Sequence, residues 1–236
     1  MSKRAIVLAG GKGTRLKPYT ITLPKPLVPV GDDMPVLEII IRQLKSNGFD
    51  HITLAVNHMS EIIKAFFGNG SKWNIKIDYS EESKPLGTMG PLKNIEDLPE
   101  NFLVMNGDII TDLNYASFFD EHVQNSSVFT ISSFERDEQV DYGVLSTKNG
   151  ILNSLSEKPL VKYEVSMGIY MLSREILRFI PKDKEFGFDQ LMHSLIEDKK
   201  QVLVKQHADY WLDIGRPSDY EIAINDYESK IKKHLF

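Results

Sequence analysis

The chain has 236 residues, enough for one sizeable α/β core or a core with a small appended lobe. Its 28 basic and 33 acidic side chains leave a net charge of −5, so no basic surface argues for nucleic acid or an anionic membrane. Cysteine is absent, which excludes disulfides, thiolate metal sites and a cysteine nucleophile and fits a reducing compartment.

The residues Met-Ser-Lys-Arg run directly into Ala5–Leu8, a short apolar run that predicts a buried first strand. Too few apolar residues precede the glycines that follow for a signal-peptide core, and no run approaches the roughly 20 apolar residues that span a bilayer. The expected setting is cytoplasmic, with neither a membrane nor a nucleic-acid partner. Gly10, Gly11 and Gly13 come next. Glycine leaves room for close backbone approach to a ligand, and successive N–H groups in such a turn form an anion-binding concavity. Arg15 and Lys25 could meet the same anion. The spacing excludes two common phosphate loops. A P-loop demands Gly-x4-Gly-Lys-Ser/Thr, but Ile6 and Gly13 stand at its first and last positions. The dinucleotide fingerprint Gly-x-Gly-x-x-Gly, read from Gly11, meets Leu16 at its third glycine.

Pro24, Pro26 and Pro29 predict an extended chain poor in backbone donors, with Lys25 on a stiff support that suits a catalytic cation. Pro35 opens an amphipathic helix that runs through Leu44 and stops at Gly48. His51–Asn57 reads as a strand, Met59–Phe67 as a helix, Ile75–Tyr79 and Phe102–Met105 as strands, Tyr115–Val123 as a helix and Ser127–Phe134 as a strand. This alternation predicts βαβ units around a largely parallel sheet. In the second half Tyr142–Leu145, Ile151–Leu155 and Val165–Leu172 read as strands, with a hairpin turn at Lys148-Asn149-Gly150. Helices near 173–180 and 187–199, strands near 202–206 and 209–212, and a helix from Pro217 to about Lys233 complete the chain. The expected fold is α/β: a Rossmann-like three-layer domain with a mixed, mainly parallel central sheet and a smaller, more antiparallel lobe for a second substrate. It reads as a single domain over 1–236, with a part bearing the glycine loop to about 135, a second-substrate part at about 136–215 and a C-terminal helix at 217–233.

Asn106-Gly107-Asp108 and Trp211-Leu-Asp213 each put a carboxylate at the end of an apolar strand. Mg²⁺ is commonly held by one or two carboxylates plus substrate phosphates and water, and two aspartates converging on the glycine loop would meet that need. Taken singly, either aspartate reads first as an ordinary turn. The six histidines lack zinc spacing, and His58, His193 and His207 read as core-edge or surface residues. Gly87 and Thr88 offer backbone groups to an edge-on base, although Thr88 also reads as a helix N-cap. Glu157 could accept sugar hydroxyls and Lys158 could hold a phosphate, or the pair could be a solvated face.

Gly-Gly-x-Gly-Thr-Arg-Leu at 10–16, Pro-x-Thr at 18–20 and Pro-Lys-Pro at 24–26 together resemble the sugar-1-phosphate nucleotidyltransferases, also called nucleotide-sugar pyrophosphorylases. Pro-Leu-Gly-Thr-x-Gly at 85–90 resembles that family's base-recognition loop. The likeness runs from Leu8 to about Tyr220. It implies that Leu8, Ala9, Gly10, Gly11, Gly13, Thr14, Arg15, Gly87 and Thr88 bind the nucleotide. It further implies that Arg15, Lys25 and Asp108 are catalytic, and that Asp108 and Asp213 hold the metal, Mg²⁺. Gly143, Glu157, Lys158, Ser166 and Gly168 would bind the sugar phosphate; other members often carry Asn where Ser166 stands. The implied reaction is in-line attack of a sugar 1-phosphate on the α-phosphorus of a nucleoside triphosphate, releasing pyrophosphate. Gly11 and the Trp211–Pro217 ending look most like the mannose- or heptose-1-phosphate guanylyltransferase branch, which favours GTP.

Uridylyl, thymidylyl and cytidylyl relatives share most of these residues. A silent nucleotide-sugar sensor would be expected to lack some of Arg15, Lys25, Asp108 and Asp213, and all four are present. A phosphocholine-type cytidylyltransferase would line its acceptor pocket with aromatics, whereas Glu157-Lys158-Pro159 argues for a sugar. A homo-oligomer is possible, and no second activity is expected beyond the last helix.

Overall fold

A computed structural model of the chain describes residues 2–31, 34–82 and 84–234. The elements in chain order begin with β1 (Arg4–Leu8), β2 (Pro29–Val30), β3 (Met34–Pro35), α1 (Val36–Ser46), β4 (His51–Val56), α2 (Ser60–Phe67) and β5 (Lys76–Glu81). They continue with β6 (Asn101–Asn106), β7 (Ile109–Thr111), α3 (Tyr115–Gln124), β8 (Phe129–Gln139), β9 (Gly143–Lys148), β10 (Ile151–Glu157) and β11 (Leu160–Ser173). The last are α4 (Phe188–Glu197), β12 (Val202–His207), β13 (Trp211–Asp213) and α5 (Pro217–Asp226). Seven strands form the central sheet in the order β12-β8-β11-β6-β1-β4-β5. Only the two pairings of β11 are antiparallel, so the sheet is mixed and mainly parallel, as expected.

Both faces of the sheet are covered, which explains why its central strands are continuous apolar runs. On β1, Ala5 and Val7 enter one core while Ile6 enters the other. On β6, Leu103 and Met105 face the first core and Phe102 and Val104 the second. The period of two along each strand deals alternate side chains to opposite layers. The chain leaves β1 to build β4 on one side and returns to build β6 on the other. The carboxyl end of β1 is therefore a topological switch point, where an open α/β sheet forms a ligand crevice.

Several sequence expectations need correcting. Arg174–Phe179 is a 3-10 helix, and the C-terminal helix widens into a π-helical turn at Tyr227–Ile231. The segment around Lys25 is not extended: Lys25–Leu27 forms a 3-10 turn, with only Pro24 before it in extended conformation. Proline at the second position of a helical turn costs nothing there, because its missing N–H has no acceptor in any case. β8 and β11 outrun the expected strands because they go on pairing with each other, from Ser166↔Ser133 out to Leu160↔Gln139, after leaving the buried sheet. An apolar pattern marks burial, and this part of the pairing is solvent-exposed.

His122 on α3 is buried, with Nδ1 2.8 Å from Thr130 Oγ1 and Nε2 unpartnered among the described residues. Burial pushes its pKa down to about 4, so the fold holds it neutral. The unfolded chain takes up this proton below about pH 6.5. Stability is therefore expected to fall as pH drops from about 6.5 to 4, by about 3 kcal/mol from this residue. Urea melts of the parent and His122→Gln across that window check it; the variant should lose less stability on acidification.

Candidate active site

The glycine loop rises from the carboxyl end of β1 and is pinned on both sides. Ala9 N donates to Ala55 O of β4 at 2.8 Å, and Gly107 N, beyond β6, donates to Leu8 O at 2.9 Å. The three glycines do different work. A Cβ on Gly10 would crowd Asn57 at 3.1 Å, whereas one on Gly11 would meet nothing within 4 Å, because that residue faces the open cleft. Gly13 adopts φ 60° and starts the 3-10 turn Thr14–Leu16. Its carbonyl accepts from Thr20 Oγ1 at 2.7 Å. Leu16 is buried and anchors the turn, leaving Thr14 and Arg15 exposed at the cleft.

The cleft has a volume of about 280 Å³. Leu8, Ala9, Gly11, Gly13, Thr14 and Arg15 form one wall, and Lys25, Asp108 and Gly215 close it from the other side. The proline-flanked turn delivers Lys25 Nζ to Asp108 Oδ2 as an ion pair, and the lysine side chain is only 13% exposed. Stiff backbone and partial burial together fix a cation that would otherwise sample many rotamers.

Asp108 sits on the turn between β6 and β7, and β13 pairs with β7 so that Asp213 lies opposite Ile109. Ile214 N donates to Asp108 O at 3.0 Å. This short ribbon brings together two carboxylates more than a hundred positions apart. Oδ1 of each is buried without a hydrogen-bond partner among the described residues. Burial, and then the charge of Asp108, hold the Asp213 carboxyl above the usual carboxylate range, while Lys25 and Arg15 oppose the shift. Unpartnered, mutually repelling carboxylate oxygens are a donor set suited to a hard divalent cation. No group of three or more such side chains occurs among the described residues, so substrate oxygens and water would have to complete a coordination shell.

A second cleft of about 400 Å³ opens on the other side of the loop, shared by Leu8, Gly10, Gly11, Gly87, Thr88 and Asp108. Gly87 has φ 76°, and a Cβ there would lie 2.7 Å from Phe186 O, so the segment before α4 packs against this glycine. Thr88 does not cap the turn that follows it; its Oγ1 accepts from Phe188 N, the first amide of α4, at 2.9 Å. The cleft also holds Asn57, His58 and Glu82, to which sequence reasoning gave no binding role, His58 having read as a core-edge or surface residue. Each follows the carboxyl end of β4 or β5, the same strand-end position that singled out Asp108. Glu82 Oε2 accepts from Leu86 N at 3.0 Å, and burial raises its pKa.

The residues expected to hold the sugar phosphate line neither cleft. Gly143 and Glu157 pair across the two-stranded ribbon β9–β10, and a Cβ on Gly143 would lie 3.0 Å from Glu157 Oε2. Lys158 follows at φ 45°, its amide donating to Tyr142 O at 3.3 Å. All three are exposed on an arm built from this ribbon and the outer halves of β8 and β11. Ser166 and Gly168 lie at the arm's root, where Gly168 N donates to Ser166 Oγ at 3.2 Å.

The chain is similar to known proteins over nearly its whole length. Over 98% of its length the chain is 31% identical to a UTP–glucose-1-phosphate uridylyltransferase of Synechocystis sp., of which it spans 65%. It is 32% identical, again over 98%, to a mannose-1-phosphate guanyltransferase of Schizosaccharomyces pombe, spanning 66% of it. The chain thus covers just under two thirds of the length of these curated relatives. HddC from Yersinia pseudotuberculosis, solved in complex with GMP-PN, superposes with a TM-score of 0.71 at 30% identity, over 95% of this chain and 99% of that one. A family model described as nucleotidyl transferase matches residues 4–230, a span that takes in every strand of the central sheet and both Asp108 and Asp213; the chain belongs to the nucleotidyl transferase family.

Proposed function

We propose that the chain transfers a nucleotidyl group from a nucleoside triphosphate to a sugar 1-phosphate, releasing pyrophosphate and forming a nucleotide-sugar. The observation that carries this reading is the meeting of Asp108 and Asp213, each with an unpartnered buried oxygen, beside Lys25 and Arg15 at the mouth of a glycine loop. Both reactants are anions, so the protein's work is positioning and charge neutralisation. Arg15 and Lys25 neutralise the triphosphate and the departing pyrophosphate. Asp108 and Asp213 would hold Mg²⁺, which supplies Lewis-acid stabilisation of the phosphate charge that develops in the transition state. The glycine loop donates backbone N–H groups to the phosphates. Lys158 steers the attacking phosphate, Glu157 orients the sugar, and the backbone at Gly143 and Gly168, with the Ser166 hydroxyl, completes the acceptor site. No covalent intermediate is required. With no cysteine in the sequence and no helix among the described residues long and apolar enough to cross a membrane, we read it as a cytoplasmic enzyme.

Glu82 favours guanine as the base. Its carboxylate is an acceptor partly removed from water, and one oxygen is already fixed by Leu86 N. Guanine offers two adjacent donors on its Watson–Crick edge, which a carboxylate accepts together. Uracil and thymine place two carbonyl oxygens around a single N–H, and those oxygens are repelled by a negative charge. Discrimination of this kind is worth roughly 1.5–3 kcal/mol when a charged partner is involved. Pyrophosphate release across nucleoside triphosphates and sugar 1-phosphates tests both claims. GTP should be the best donor, and Glu82→Gln should reduce the ratio of GTP to UTP turnover by about tenfold or more. Equal ratios in parent and variant would remove Glu82 from base recognition.

A further inference from the structure

The arm and the aspartate pair meet at one side chain. Met167 and Gly168 fall outside both ladders of β11, in the register break between Ser166 and Tyr170. The carbonyl of Met167 is taken instead by Trp211, whose Nε1 donates to it at 3.1 Å. The same indole lies against the Phe134 ring at 5.5 Å between centroids and under the Arg136 guanidinium at 5.1 Å. Phe134 and Arg136 are the β8 residues at the point where the arm leaves the sheet. Trp211 opens β13, and Asp213 is two residues on, so both side chains project from the same face of a three-residue strand. The break is also clamped from behind: a Cβ on Gly168 would lie 2.6 Å from Asn106 Nδ2 and 2.8 Å from Ile109 Cδ1, the residues that flank Gly107-Asp108.

We propose that Trp211 is a positioning residue that couples occupancy of the arm to the placement of Asp213. This rests on the reading of Glu157 and Lys158 as the sugar-phosphate site. The arm is solvent-exposed along its length and is tied to the core at its root, so its displacement by an acceptor acts on the indole and through β13 on the carboxylate. A short strand held by ring contacts, one hydrogen bond and a cation over the ring moves as a unit. Sugar 1-phosphate and divalent metal then bind cooperatively, although their protein ligands lie on different elements. The coupling is reciprocal by linkage.

The test measures that coupling directly. Mn²⁺ affinity is read by electron paramagnetic resonance with and without mannose 1-phosphate or glucose 1-phosphate, using whichever the pyrophosphate assay finds to be turned over. In the parent chain the sugar phosphate should tighten Mn²⁺ at least fivefold, within the usual range for coupled sites. Trp211→Phe keeps a ring but loses the donor to Met167, and the effect should shrink below twofold while Mn²⁺ affinity without sugar phosphate stays within twofold. Arg136→Met, an exposed change, should give an intermediate value and guards against misfolding of the tryptophan variant. With Trp73→Phe the chain keeps Trp211 as its one tryptophan, and its emission should shift on addition of the same sugar phosphate. A lower melting temperature with undiminished coupling in both variants would make Trp211 a packing residue and overturn the proposal. Absence of coupling in the parent overturns it as well. If the parent turns over no sugar 1-phosphate, the underlying functional reading fails first and takes the proposal with it.

Discussion

Asp213→Asn and Asp108→Asn are each expected to lower turnover by at least about a hundredfold, roughly 2.7 kcal/mol of transition-state stabilisation, yet to move stability in opposite directions. Asp213 carries a raised pKa, caused by burial and by the charge of Asp108. A carboxyl whose folded pKa lies above its unfolded value binds more protons in the fold. Stability therefore declines as pH rises from the unfolded value of about 3.9 through the folded one, and at neutral pH the charged group is a net cost. Replacing it with Asn removes that cost, so the metal-free melting temperature should hold or rise. Asp108 is different, because it neutralises Lys25, whose side chain is only 13% exposed. Asp108→Asn strands that ammonium and should cost about 1–3 kcal/mol. Thermal melts in EDTA and with Mg²⁺ check both signs, and both variants should lose the stabilisation that Mg²⁺ gives the parent. Equal melting shifts in EDTA would overturn this electrostatic account, whereas undiminished Mg²⁺ stabilisation or near-normal pyrophosphate release in both variants would remove the aspartates from a shared metal site.

Lys25→Ala is expected to reduce kcat by about 10²–10³-fold with less than a threefold change in KM for the sugar 1-phosphate, because its charge acts on the reacting phosphates rather than on the acceptor's hydroxyls. The ion pair with Asp108 adds a second readout that needs no catalysis. In the parent, a cation competing for Asp108 must displace Lys25 or share the carboxylate with it. Removing the ammonium should tighten Mn²⁺ binding in the absence of nucleotide by about tenfold, while turnover collapses. Lys25→Arg should restore little, since the Pro24–Pro26 turn fixes where the stem begins and a planar guanidinium presents its charge differently from a compact ammonium. An effect confined to the sugar's KM would instead assign Lys25 to the acceptor pocket.

The sequence was most legible where local chemistry and position coincide. Ala5–Leu8 read as a buried strand, and the glycines after it as a turn at its end. The same logic put Asp108 at a strand end, where an apolar strand ending in Gly-Asp exposes a carboxylate at the crevice, and the family resemblance implied its role. It passed over Glu82 after β5 and His58 after β4, although the rule applies there equally. The arm was the least legible part. The outer halves of β8 and β11 pair without being buried, so hydropathy gave no measure of their length, whereas the hairpin turn at Lys148-Asn149-Gly150 that pairs Gly143 with Glu157 was legible.

What the sequence carried alone was a set of local features: a glycine loop that is neither a P-loop nor a dinucleotide loop, a lysine between prolines, and carboxylates at two strand ends. Strand periodicity and proline geometry are local properties, and a single chain carries them openly. Only the tertiary structure decided that Asp108 and Asp213 meet. Their juxtaposition depends on the three-residue pairing of β7 with β13, too short to leave a periodic trace, and on burial that leaves an oxygen of each without a partner. The same is true of Trp211, whose indole reads in sequence as one more apolar residue. It becomes a link between arm and carboxylate because a register break in β11 frees the Met167 carbonyl beside it.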